Sequence, residues 1–277
     1  MEKELKEQLI SIRENDYDFS EYDLDDLTDR MMQAIGATDS ELRDDLIHTT
    51  FGYLITEARL AREQMKQLLN VSLDEAHLFY RIGEKGTDSV FTRSFSVLLV
   101  ALILYADKEQ AFLSEKEVFQ AKRDLLSYTA REKDVRGYVE GKGWAHSAAH
   151  TADALDELAQ SQWMGAGDLK EMLAAIQSKI LTAEMVYSHN EDERLALPVM
   201  AIFQRELLDE SMILDWIGNF QALMEKEQEV LTAQEGMNLR LNVRNFLRSV
   251  YFRLRFGKTG TRYQEKIEET LDAIRRF

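Results

Sequence analysis

An all-helical fold of paired, stacked helices is what this sequence predicts, and three observations predict it. A chain of 277 residues with one proline and only 13 glycines has few helix breakers and few hairpin turns. Leu, Ala, Glu, Lys and Arg, all good helix formers, are abundant, and no long β-rich segment is evident. A polar lead-in, an arginine or histidine and then an apolar run recur along the chain at intervals of 50, 53, 48 and 50 residues.

Taken in order, the recurring segments are ELRDDLIHTTFGYLI around Arg43, VFTRSFSVLLVALIL around Arg93, GWAHSAAHTADALDEL around His146, EDERLALPVMAIFQREL around Arg194 and LNVRNFLRSVYFRL around Arg244. Amphipathic stretches lie between them, such as Phe112 to Ala130, Asp168 to Tyr187 and Trp216 to Leu231, each long enough for one partner helix. A helix-turn-helix unit of this length is similar to HEAT or armadillo repeats, whose units run about 40–47 residues. Each pair leaves an apolar face it cannot bury alone, so neighbours stack. The expectation is an α-solenoid of about five helical pairs forming one domain over residues 1–277. Three or four atypical repeats closed into a bundle is the alternative.

With 45% hydrophobic residues the chain can bury a substantial core. It has no cysteine, which excludes disulfides and cysteine-ligated metal or iron–sulfur sites. The acidic start, MEKELKEQLISIRENDYDFSEYDLDD, lacks the order of a signal peptide, and the longest apolar run, Val97 to Tyr105, falls short of a bilayer span. A cytoplasmic protein without a membrane segment is expected. The net charge of −16 opposes broad binding of a polyanion such as nucleic acid. That charge is uneven: Met1 to Asp45 holds 15 acidic and 5 basic residues, whereas Met237 to Phe277 holds 10 basic and 4 acidic. The basic end, with Arg240, Arg244, Arg248 and Arg255 on one arc, either faces solvent, neutralises acidic neighbours, attracts another molecule or captures an anion. Oligomeric state is left open.

The segment richest in chemistry is RGYVEGKGWAHSAAHTADAL, Arg136 to Leu155. A helix starting near Trp144 would set His146, His150 and Asp153 on one side and Ala149, Ala152 and Leu155 on the other. Two imidazoles at i and i+4 suit a divalent metal such as zinc, with Asp153 as a further ligand and Glu140 or Glu191 to Glu193 completing the shell. Ser147 stands where the HExxH signature needs glutamate, so zincin chemistry is not supported. Without metal, His146, His150 and Asp153 could serve as a general acid–base group of a hydrolase-like enzyme, with Ser94 approaching from the neighbouring repeat. The third reading is recognition. Tyr138 and Trp144 offer flat faces, Lys142 and Arg136 offer cationic donors, and the Gly137, Gly141 and Gly143 loop offers backbone N–H groups. If second helices line a concave side, Arg93, Arg194 and Arg244 join this set, for a small anionic molecule or a peptide segment. Against that, arginines in this register commonly form a ladder that holds repeats together.

The pieces SVFTRSFSVLLVALIL (Ser89 to Leu104), EKDVRGYVEGKGWAHSAAHTADALDELA (Glu132 to Ala159), EDERLALP (Glu191 to Pro198) and NVRNFLRSVYFRL (Asn242 to Leu254) together resemble a bacterial family of uncharacterised proteins, catalogued as domain of unknown function 2785. GWAHSAAHTAD is the most distinctive piece. The resemblance implies an all-helical protein and names no catalytic residues.

Overall fold

A computed structural model describes residues 2–275. The chain is all-helical among them, apart from one two-stranded hairpin. In order come α1 (Glu2–Glu14), α2 (Leu24–Gln33), a π-helical segment (Glu41–Ile47) that runs directly into α3 (His48–Thr56), α4 (Arg62–Ser72), α5 (Ser89–Gln110) and α6 (Glu115–Arg131). The hairpin of β1 (Tyr138–Val139) and β2 (Gly143–Trp144) follows, then α7 (Ser147–Ala159), α8 (Ala166–Ile180), α9 (Glu191–Gln204), α10 (Glu210–Gln228), α11 (Ala233–Phe256) and α12 (Thr261–Ile274). The fifty-residue period maps onto alternate helices: Arg43 lies in the π-helical lead-in to α3, Arg93 in α5, His146 just before α7, Arg194 in α9 and Arg244 in α11.

Local chemistry sets the helix boundaries. Asp23 caps α2 by accepting from the backbone N–H groups of Asp25 and Asp26. Ser114 with Glu117 and Thr232 with Glu235 form reciprocal capping boxes at the starts of α6 and α11. The guanidinium of Arg205 takes the carbonyls of Ala159, Ser161 and Met164 where α7 ends, matching a cation to the carbonyl end of a helix.

The chain divides into two compact units, Met1–Ala154 and Leu155–Phe277. In the first, α3 and α4 pack on α5, and α1 packs on the π-helical segment. Helix α5 is 22 residues long and apolar enough to cross a membrane by length and composition, a longer stretch than Val97 to Tyr105 suggested. However, 78% of its apolar window is buried within the protein, as in a core helix. Val90, Phe91, Val97, Val100 and Ile103 are fully enclosed. In the second unit α9 packs along α11, and α12 packs against both α10 and α11. Leu195, Val199, Ile217, Phe220, Val243 and Phe246 fill that core. Asn242 of α11, fully buried, stitches the α8–α9 connection to this core: its amide donates to the carbonyls of Thr182 and Met185 and accepts from the N–H of Tyr187.

Candidate functional site

The histidine segment folds differently from a helix running back to Trp144. Tyr138 pairs with Trp144 and Val139 with Gly143 in an antiparallel hairpin, with Glu140, Gly141 and Lys142 at its tip. Gly141 and Gly143 both have positive φ, +73° and +80°, so the turn uses the freedom that only glycine has at no steric cost. The N–H of Ala145 closes on the Gly137 carbonyl, and His146 itself is left-handed at φ +44°. Helix α7 therefore begins at Ser147, and His146 sits just outside it. Its carbonyl accepts the N–H of His150, the first turn of the helix. The two histidines do not project side by side from one helix face. Their rings instead meet edge to face, 5.8 Å apart.

Four further contacts extend this pair into a chain of rings. His146 stacks on Trp144 at 4.3 Å, and Trp144 meets Tyr138 at 4.9 Å near right angles. On the other side, His150 meets Phe95 at 5.2 Å and Phe95 meets His48 at 6.5 Å. The chain is graded in exposure: Tyr138 is 51% and Trp144 38% exposed, His146 is half-buried, and His150 is buried. The Nδ1 of His150 lies 3.0 Å from the Ser94 carbonyl, which can only accept, so this nitrogen carries the ring proton. Burial holds the His48 imidazole below its ordinary pKa, and its Nε2 has no hydrogen-bond partner.

The hairpin is anchored from the far end of the unit's sequence. Arg43, fully buried, donates to the Ala37 carbonyl at 2.5 Å and to the Lys142 carbonyl at 2.6 Å, and reaches the Trp144 carbonyl at 3.5 Å. It pairs with Asp44 at 2.8 Å and lies over the rings of Phe91 and Phe95 at 4.2 and 4.8 Å. Burial pulls the Arg43 pKa down and pushes the Asp44 carboxyl up, and the ion pair opposes both shifts. A Cβ at Gly143 would stand 2.6 Å from the Ser40 Cβ and 2.9 Å from an Asp44 oxygen, so glycine is what lets the hairpin approach this anchor.

Three of the expected cationic donors, Arg93, Arg136 and Lys142, have acidic partners. Arg93 is fully buried, bidentate on Glu132 at 2.5 and 3.0 Å, and bonded to the carbonyls of Tyr80, Arg81 and Glu84. It holds the α4–α5 connection and the end of α6 onto α5. Arg136 pairs with Asp134 and donates to the Thr87 carbonyl; the Asp134 bond raises its pKa. Lys142 pairs with exposed Asp88 at 2.7 Å. Glu140 is exposed at the hairpin tip, and Asp153 follows one turn after His150 on α7. Arg194 on α9 and Arg244 on α11 belong to the second unit.

Among the described residues no three His, Asp or Glu side chains form a group that could hold a metal ion, and His146 lies outside the helix that carries His150 and Asp153. Ser94 does reach His150, but through its carbonyl; its hydroxyl donates to Phe91 and is not positioned as a nucleophile. The Ser147 hydroxyl is buried and donates to the Asp134 carbonyl. Arg43, Asp44, His48 and Phe95 were not placed at this site from the sequence. For Arg43, Asp44 and His48 the one signal is the polar lead-in ELRDDLIH, of which Glu41–Ile47 folds as a π-helix, a rare conformation often found at functional positions. Clefts of about 530 and about 650 Å³ also lie within the second unit, lined chiefly by Phe203, Glu206 and Arg262 and by Lys170, Trp216 and Lys266.

Fold and site together define an all-helical protein that displays an aromatic–imidazole surface on a clamped hairpin. Residues 78–252 match the model of the family described as "Protein of unknown function (DUF2785)". The chain belongs to this family. No curated protein and no solved structure matches the chain.

Proposed function

We propose that this is a binding protein, built as a HEAT-like stack of helix pairs, whose Tyr138–Trp144–His146 surface takes a peptide segment. The observation that carries the reading is the combination of two exposed aromatic rings with a backbone that is immobilised beneath them. Arg43, fully buried, donates from one guanidinium nitrogen to the hairpin carbonyls, and Gly143 fits where a side chain would collide with Ser40 and Asp44. Rigid, partly exposed Tyr and Trp contribute large contact area at little cost in side-chain entropy, which is why such residues anchor interfaces. A peptide is favoured over a small anion because Lys142, Arg136 and Arg93 already have acidic partners. Exposed Glu140 at the hairpin tip adds an acceptor for a peptide N–H or a basic side chain.

Peptide display against the folded chain tests the reading. Selected peptides should lose at least about tenfold in affinity with Trp144→Ala, as expected for an aromatic anchor. Trp163→Ala is the control, because Trp163 is 37% exposed yet lies in the second unit. If the two substitutions weaken binding equally, or if no peptide is selected, the reading fails.

A further inference from the structure

Helix α11 carries a surface unlike the rest of this acidic molecule. From Gly236 to Gly257 there is no Asp, Glu or Lys, although the chain holds 50 acidic residues. Its buried arc is Leu239, Asn242, Val243, Phe246, Leu247, Val250 and Leu254. At about 100° per residue the opposite arc runs through Met237, Arg240, Arg244, Arg248, Phe252 and Arg255, with Phe256 at its edge. Met237 is 47%, Phe252 50% and Phe256 79% exposed, and the last two rings stack on each other. Arg248 and Arg255 are exposed, and Arg240 and Arg244 half-buried. Among the described residues none of these four arginines has an acidic side chain within ion-pair distance, whereas Arg253, off this arc, pairs with Glu193.

Four uncompensated cations interleaved with Met and Phe, without lysine or carboxylate, have the composition by which protein interfaces differ from ordinary surface. The arginines rise about 22 Å along the helix axis, so they address several acidic groups in a row. We propose that this face docks an acidic polypeptide segment that also carries apolar side chains. The guanidinium forks would take carboxylates in bidentate pairs, and Met237, Phe252 and Phe256 would bury the apolar residues between them. The charge of −16 on the whole chain disfavours a long polyanion, while a short segment feels chiefly the local field within a screening length.

The test uses the full chain and a fluorescent amphipathic peptide with glutamates at i, i+4 spacing beside leucines. Its glutamine counterpart, a single-stranded oligonucleotide and phosphatidylserine vesicles serve as competing probes. Expected are saturable binding of the glutamate peptide, weakening with added salt, and a loss of at least about tenfold in Arg244→Glu/Arg248→Glu. A separate Phe252→Ser variant should lose affinity several-fold, and thermal unfolding reports whether each variant remains folded. The proposal is overturned if the glutamate peptide does not bind. It is equally overturned if the glutamine peptide binds as well, if charge reversal in a folded protein leaves binding intact, or if the oligonucleotide or the vesicles bind more tightly.

Discussion

Replacing Gly143 with alanine tests how the hairpin is held. The new methyl group would stand 2.6 Å from the Ser40 Cβ, 2.9 Å from Asp44 Oδ2 and 3.0 Å from an Arg43 guanidinium nitrogen, on a backbone with φ +80°. A left-handed conformation costs a non-glycine residue roughly 1–2 kcal/mol. Forcing a methyl group into a packed site costs roughly a further 1–3 kcal/mol. The sum, about 2–5 kcal/mol, corresponds to a midpoint lowered by roughly 5–15 °C for a unit of this size. Gly141→Ala separates the two contributions, because Gly141 has a similar φ of +73° with nothing within 4 Å of the added atom. It should cost only the conformational part. Thermal and urea unfolding of the two variants, followed by far-UV circular dichroism, give the comparison. If Gly143→Ala is no more destabilising than Gly141→Ala, the hairpin is not packed against Arg43 and Asp44 as described.

Three other outcomes follow from the same contacts. Arg93→Met should destabilise by roughly 3–5 kcal/mol because Glu132 stays buried without its partner; adding Glu132→Met should recover much of that loss, and urea unfolding of the single and double variants measures the coupling. Asn242→Leu should cost roughly 2–4 kcal/mol by leaving two carbonyls and one N–H of the α8–α9 connection unsatisfied, seen as faster hydrogen exchange between Thr182 and Tyr187. His48 is held below its ordinary pKa by burial, so the unfolded chain binds its proton first as pH falls. The stability it permits is full above about 6.5 and is lost as pH drops through that value toward the depressed folded one. Asp44, pushed up, acts in the opposite sense, with stability falling as pH rises from the ordinary carboxylate range toward its raised value. His48→Gln should therefore flatten the pH dependence of the unfolding midpoint below about 6.5, and an unchanged slope would contradict the burial argument.

Periodicity made the helices legible, since scarce breakers and a fifty-residue recurrence both reflect apolar faces that must be covered. The site was legible in composition and not in conformation. Y-V-E-G-K-G-W reads as a glycine loop feeding a helix, whereas Gly141 sits in a three-residue hairpin tip and Gly143 is itself paired, with Val139. That spacing could have been recognised, although strands of two residues give almost no alternation to read. The left-handed turn at His146 has no marker in its residue type, and it places His146 just before the helix that carries His150. Arg43 and His48 lie about a hundred residues before the hairpin, and only packing brings Arg43 onto the Lys142 carbonyl.

The central claim is that a bound peptide covers Trp144. Among the indole N–H signals of the three tryptophans, assigned by substitution, a peptide selected by display should shift that of Trp144 saturably while leaving those of Trp163 and Trp216 in place. Saturable binding with an unmoved Trp144 signal would contradict the account.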